Sequence, residues 1–165
     1  MENKKVTIVL IRSYNLSARI IHIGMFLWYI LRFKKPIKCY NHCEVKYGDL
    51  TSGAISKGVK TRNYEEYLKG LKKYKLKTYD LDLTKKEYEN GLKYLEEAEG
   101  KKYEFENFLF HAFKIFTDKW YGDTSASELY CYEHVIRFLN RTGKYNINPF
   151  LNPVEAEKLF NIILK

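Results

Sequence analysis

A chain of 165 residues with no Pro/Gly/Ser-rich linker is long enough for a proper core and is expected to form one domain over 1–165. Hydrophobic residues at 45% and aromatics at 16%, carried mainly by 15 Tyr and 10 Phe, exclude a disordered chain, and no repeat or low-complexity segment is present. A formal charge of +9 keeps anionic partners in view, while three cysteines are too few for a disulfide framework, so the expected compartment is the reducing cytoplasm.

Lys4 and Lys5 precede only Val6 to Ile11, too short an apolar run for a signal peptide and with no small-residue cleavage site, so this run is read as a first strand. Asn15-Leu16-Ser17 then leads into 18–33, apolar nearly all round and closed by Lys34-Lys35-Pro36. At about 1.5 Å per residue a helix there falls short of a hydrocarbon core of about 30 Å, and it carries His22 and two arginines. No transmembrane segment is expected; a buried helix is, with peripheral contact to lipid or an acyl chain as the alternative. Strands follow at Cys39 to Tyr47, Leu50 to Ile55 and Gly58 to Arg62, separated by turns at Gly48-Asp49 and before Gly58. A short helix fits Tyr64 to Leu71, and Leu76 to Leu83 alternates as another strand. Thr84-Lys85-Lys86-Glu87 is a capping box opening a helix that stops near Gly100, and an amphipathic segment covers Phe105 to Phe116. Asn146 to Pro149 breaks the chain, and Pro153 to Leu164 closes it as a helix. Strands grouped early and helices late predict an α+β fold: an antiparallel sheet or half-barrel packed against helices.

The chemistry centres on Ser127 to Leu139. Val135, Phe138 and Leu139 fall at helical spacing, and the polar run Asp123 to Ser127 offers capping groups, which predicts a helix starting within a turn of Cys131. The positive end of a helix stabilises a thiolate, so Cys131 is a candidate nucleophile; the plainer alternative is a packed core thiol. A nucleophilic thiol needs an imidazole to take its proton and a third group to orient that imidazole. His22 and His111 sit in largely apolar helices, and His134 lies on nearly the same helix face as Cys131. His42, on a strand between Asn41 and Cys43, is the histidine able to face a helix start across a groove.

In this order, Asn41-His42-Cys43-Glu44-Val45, then Ala54 and Gly58-Val59, then Leu129-Tyr130-Cys131-Tyr132-Glu133, the chain resembles the permuted NlpC-like papain-fold hydrolases, the YiiX-like group. In that family the histidine strand reads roughly Ser-His-x-Gly-Ile, the next strand ends in Glu-Ala before Gly-Gly-Val, and the nucleophile lies in Tyr-Cys-Ser-Glu-Leu. The resemblance covers most of the chain and implies a circularly permuted papain-like fold with Cys131 as nucleophile and His42 as general base, flanked by Tyr130 and Tyr132. This sequence departs from the pattern at three positions. Tyr132 replaces the serine after the cysteine, Glu44 replaces the glycine two past the histidine, and Gly53 stands where the third polar residue belongs. Glu44, on His42's face of the strand by the period of two, can orient the ring. Ser52 can do so only if the hairpin register slips by one.

Cys39, Cys43, His42, Cys131 and His134 also hold metal-ligand residue types. Residues four apart on a strand lie about 13 Å from one another, however, so no metal and no cofactor is expected. Lys57 to Lys77 holds eight basic and two acidic residues, a net of +6, suited to an anionic surface or substrate or simply to a solvated face; no motif accompanies it that would specify nucleic acid. The expected function is a cysteine-dependent amidase, peptidase or acyl-ester hydrolase working through an acyl-enzyme. Its substrate would be a peptide, an amino-acid conjugate or an acyl chain. An acyltransferase on the same scaffold and a non-catalytic binding module with a degenerate site are the alternatives.

Overall fold

The computed structural model describes residues 4–14, 40–103, 128–151 and 153–164. The expected helix over 18–33, the amphipathic segment 105–116, His22, His111 and Cys39 lie outside these residues.

Five strands make one antiparallel sheet: β1 (Lys4–Ser13), β2 (His42–Tyr47), β3 (Leu50–Ile55), β4 (Gly58–Asn63) and β5 (Tyr74–Leu83). Their order is β4-β3-β2-β1-β5, so β1 is an interior strand that pairs with both β2 and β5. Four helices are described: α1 (Tyr64–Lys69), α2 (Lys85–Ala98), α3 (Cys131–Arg141) and α4 (Pro153–Ile163). A two-residue parallel pair, β6 (Lys102–Tyr103) with β7 (Glu128–Leu129), leads directly into α3. The fold is α+β. None of the described helices is long and apolar enough to cross a membrane.

Alternation along the strands sorts the sheet into two faces. Val6, Ile8 and Leu10 of β1, Cys43 and Val45 of β2 and Leu81 and Leu83 of β5 join one core with Leu95 of α2, Ile136, Phe138 and Leu139 of α3, and Phe160 of α4. Each such aliphatic side chain removed from water contributes roughly 1.5–3 kcal/mol, so this layer holds α3 against the sheet. The intervening residues Val9 and Ile11 form a smaller cluster with Tyr64 and Leu68 of α1. Gly91 permits the close approach of α2 to α3, because a Cβ there would come within 2.6 Å of the Phe138 ring.

Element edges moved for identifiable reasons. Strand β2 starts at His42, three residues later than expected, because Asn41 spends its side chain on Ser13: its Oδ1 accepts from the Ser13 backbone N–H at 2.9 Å. Strand β5 starts two residues earlier than its apolar run, since Lys75 and Tyr74 pair with Arg12 and Ser13 at the end of the long interior strand β1. The capping box is present: Thr84 accepts from Glu87 N–H, and Glu87 accepts from Thr84 N–H at 2.7 Å.

Candidate active site

Helix α3 begins at Cys131, and its cap position is Tyr130, whose backbone is extended and whose side chain makes no capping hydrogen bond. The expectation that the polar run Asp123 to Ser127 caps this helix is therefore corrected: the cap falls on an aromatic residue beyond that run. Side chains fix the helix start instead. The Tyr130 hydroxyl donates to the Leu151 carbonyl, and the Tyr132 hydroxyl donates to the Tyr40 carbonyl at 2.9 Å, tying α3 to the segment that enters β2. The Cys43 thiol donates to the Cys131 carbonyl at 3.2 Å from the other side. Tyr132 is itself fully buried and stacks on Phe160, so its bulk after the cysteine is absorbed by the core.

His42, the first residue of β2, and Cys131, the first of α3, lie close enough for each to shift the other's pKa. Nε2 of His42 lies 2.7 Å from Oε1 of Glu44, which leaves Nδ1 as the nitrogen for the sulfur. Glu44 is wholly buried. Its Oε2 accepts from the Thr51 hydroxyl at 2.7 Å, and its Oε1 also accepts from the Arg62 guanidinium. The guanidinium carbon of Arg62 sits 3.8 Å from the centroid of the Tyr67 ring.

Gly53 explains how the carboxylate fits. Val45 pairs with Ser52 and Lys46 with Thr51, and continuing that register sets Glu44 opposite Gly53. A Cβ on residue 53 would stand 2.8 Å from Cγ and 2.9 Å from Oε1 of Glu44, so the space left by the missing side chain is the space the carboxylate fills. Glu44 and Gly53 are thus complementary: the carboxylate on one strand fills the space that glycine leaves on the other. Ser52, the other residue expected to orient the imidazole, does not meet His42. In register with Val45, its hydroxyl points to α3, where it lies 3.1 Å from Nε2 of His134. His134, in turn, has Nδ1 3.2 Å from the Tyr94 hydroxyl, so it belongs to a separate buried polar contact among β3, α2 and α3.

Electrostatics follow from these contacts. The Cys131 thiol is held well below the ordinary range, first by the hydrogen bond from Cys43 and then by the bond to and charge of His42, against the cost of burial. Burial alone would lower His42, yet its bonds to the Cys131 sulfur and Glu44, and their charges, raise it to about 10. Glu44 stays below the usual carboxylate range: burial opposes ionisation, but His42, Arg62 and Thr51 together outweigh it. Burial pushes the Cys43 thiol well up, so it remains a neutral donor. The side chains therefore favour a thiolate beside an imidazolium, the form a cysteine nucleophile requires.

Sequence reasoning missed Arg62, Thr51 and Tyr103. Arg62 was counted within the basic stretch 57–77, whose lysines 57, 60, 69, 72, 73 and 75 are exposed; it alone turns inward to a buried carboxylate. Thr51 and Arg62 are register partners, so the period of two places both on the Glu44 face, a signal present in the sequence. Burial raises the phenol of Tyr103 on β6, and the charge of a Cys131 thiolate adds to the rise. Among the described residues no group of three His, Cys, Asp or Glu side chains is placed to hold a metal ion. No protein-family model and no curated protein matches the sequence.

Proposed function

We propose that Cys131, His42 and Glu44 form the triad of a cysteine-dependent hydrolase built on a permuted papain-like scaffold of the NlpC type. The observation that carries this reading is the continuous chain from a sulfur at a helix start, through an imidazole, to a buried carboxylate 2.7 Å from the far ring nitrogen. The Cys131 thiolate attacks a carbonyl carbon, forming the C–S bond as the carbonyl electron pair moves onto oxygen. The first-turn N–H groups of α3, which have no intrahelical acceptor, are the donors available to that oxyanion. Collapse breaks the bond to the leaving amine or alcohol, which takes the proton from His42, and a thioester remains. Neutral His42 then removes a proton from water, hydroxide attacks the thioester, and the thiolate returns.

Glu44 fixes the ring and stabilises the imidazolium throughout. An amine or hydroxyl in place of water makes the same intermediate an acyltransferase's. Amides of peptides or amino-acid conjugates and acyl esters are the substrate classes to screen, and the exposed lysines of 57–77 suit an anionic group or surface. Two free cysteines side by side, Cys43 and Cys131, fit a cytoplasmic, reducing setting.

The test is the rate of iodoacetamide alkylation of the folded protein from pH 4 to 10, with the modified residue mapped by mass spectrometry, in wild type and His42→Ala. Fast reaction at Cys131 below pH 7 that disappears in His42→Ala supports the pair. Reaction only near the ordinary thiol pKa of about 8.5, in both proteins, sinks the catalytic reading in favour of a binding scaffold.

A further inference from the structure

Glu44 has no exposure to water, yet it carries two cationic partners, His42 and Arg62, and one hydroxyl donor, Thr51. A buried carboxylate is costly unless its charge is balanced, and a buried group of charges settles in the protonation state that brings its sum nearest zero. With Cys131 as thiolate, His42 as imidazolium and Glu44 as carboxylate, the three groups sum to −1. The Arg62 guanidinium makes the sum zero. We propose that Arg62 is a positioning residue that acts through Glu44 to make the thiolate–imidazolium pair the resting form of the site, a role that rests on the triad proposed above.

Among the described residues the other groups around the cluster do not supply this charge. From β2, Cys43 is a neutral thiol donor, and Lys46 holds its ammonium over the Tyr64 ring at 5.2 Å. From α1, Tyr64 and Tyr67 are neutral phenols with raised pKa values, as is Tyr103 on β6, and the Glu65 charge is felt at Tyr64. From α3, Glu133 is paired with Arg137 at 2.7 Å, and His134, which also feels Lys101, is held neutral. Tyr130 ahead of α3 is a buried phenol. Arg62 is the cation in contact with the carboxylate besides His42 itself. Its guanidinium lies over the Tyr67 ring, which shields it from water on one side.

Removing a cation raises the pKa of every acid near it. In Arg62→Met the cluster with a thiolate carries −1, so the pH at which Cys131 becomes reactive rises. The expected shift is at least about one pH unit in the midpoint of the Cys131 alkylation profile. Arg62→Lys keeps the charge and stays within about threefold of wild type at pH 6. The decisive arm is the double variant Arg62→Met with Glu44→Gln, in which Cys131 thiolate and His42 imidazolium again sum to zero. It regains the low-pH reactivity that Arg62→Met loses, although two native contacts are gone, a recovery that a merely structural role for Arg62 does not give.

An Arg62→Met protein with the wild-type profile overturns the assignment, as does a double variant as slow as the single one. Should Arg62→Met fail to fold, the lysine and double variants decide: low-pH reactivity retained in both supports the assignment, and its loss in the double variant overturns it. A wild-type protein without low-pH reactivity removes the triad itself, a failure distinct from either of these.

Discussion

Two histidines sit within the same small volume of this protein, each partly or wholly shut off from water and each held by neighbours near 3 Å, yet their charges go opposite ways. His42 is raised to about 10; His134 is lowered to about 3. Burial is the largest influence on both, and in both it favours the neutral ring. The difference lies in the partners. His42 meets a carboxylate and a sulfur that gain from its proton, whereas His134 meets two hydroxyls, Ser52 and Tyr94, that hydrogen-bond a neutral imidazole equally well. The same residue type favours its proton at the start of β2 and stays neutral on α3, so charge here is decided by the partners rather than by depth.

Glu44→Ala breaks this contrast most severely. It leaves Arg62 beside His42 without a counter-charge, and both effects act against an imidazolium, so His42 moves toward the condition of His134. Loss of one partner from a buried pair costs about 3 kcal/mol or more, to be read as a lowered midpoint in urea unfolding. An unchanged midpoint contradicts the ionic description of the Glu44 contacts.

His42→Ala and His134→Ala should separate on reactivity. Without His42, Cys131 loses one of the groups that hold its thiolate while the Cys43 bond remains, so alkylation at pH 6 falls at least about tenfold, and buried Glu44 loses a partner, which lowers stability as well. Without His134, the Ser52 and Tyr94 hydroxyls lose their partner inside the core, which costs about 2 kcal/mol of stability and leaves Cys131 reactive. If both variants lose reactivity equally, the two histidines belong to one network and the separation drawn here fails.

The pH dependence of stability sharpens the same comparison. In the unfolded chain His134 takes up a proton near pH 6.5, while in the folded protein it stays neutral down to about 3. Its contribution is therefore whole above pH 6.5 and is lost as the pH falls, by about 3 kcal/mol between 6.5 and 4. His42 has the opposite sign: the folded state favours its proton up to about 10, so it adds nothing to the acid loss. Stability of wild type minus that of His134→Gln, whose amide can meet the same two hydroxyls, should fall by that amount over the interval. A flat difference would show that His134 is charged in the fold.

Much of the fold was legible because the signals were local. Period-two apolar alternation, the Gly48-Asp49 turn and the Thr84 capping box carry their own geometry, and β3 occupies Leu50–Ile55 as read from sequence. Extents set by a distant partner were not legible: β5 lengthens to follow β1, and β2 shortens because Asn41 bonds across to Ser13. At the site, the positions of Cys131, His42 and Glu44 could be reasoned from spacing and from one strand's periodicity. Arg62 was overlooked although strand periodicity reaches it, because charge counted along a chain says nothing of which strand face a residue occupies. The missing step was to carry the register across two hairpins.

That register also gives the mildest test. Gly53→Ala adds a methyl group 2.8 Å from the Glu44 side chain, which has no exposed side to retreat to. Either the carboxylate swings away from His42 or the hairpin bends, and overpacking of this kind costs about 1–3 kcal/mol. Tightly held by Arg62 and Thr51, Glu44 should yield at its contact with His42, so His42 loses part of its support and the basic limb of the Cys131 alkylation profile moves below pH 10. At His134, on the other side of β3, nothing changes, and the acid stability loss of Gly53→Ala should match that of wild type. A methyl group that alters the His134 limb and spares the His42 limb would mean that residue 53 faces α3, reversing the face assignment on which the packing of Glu44 against Gly53 depends.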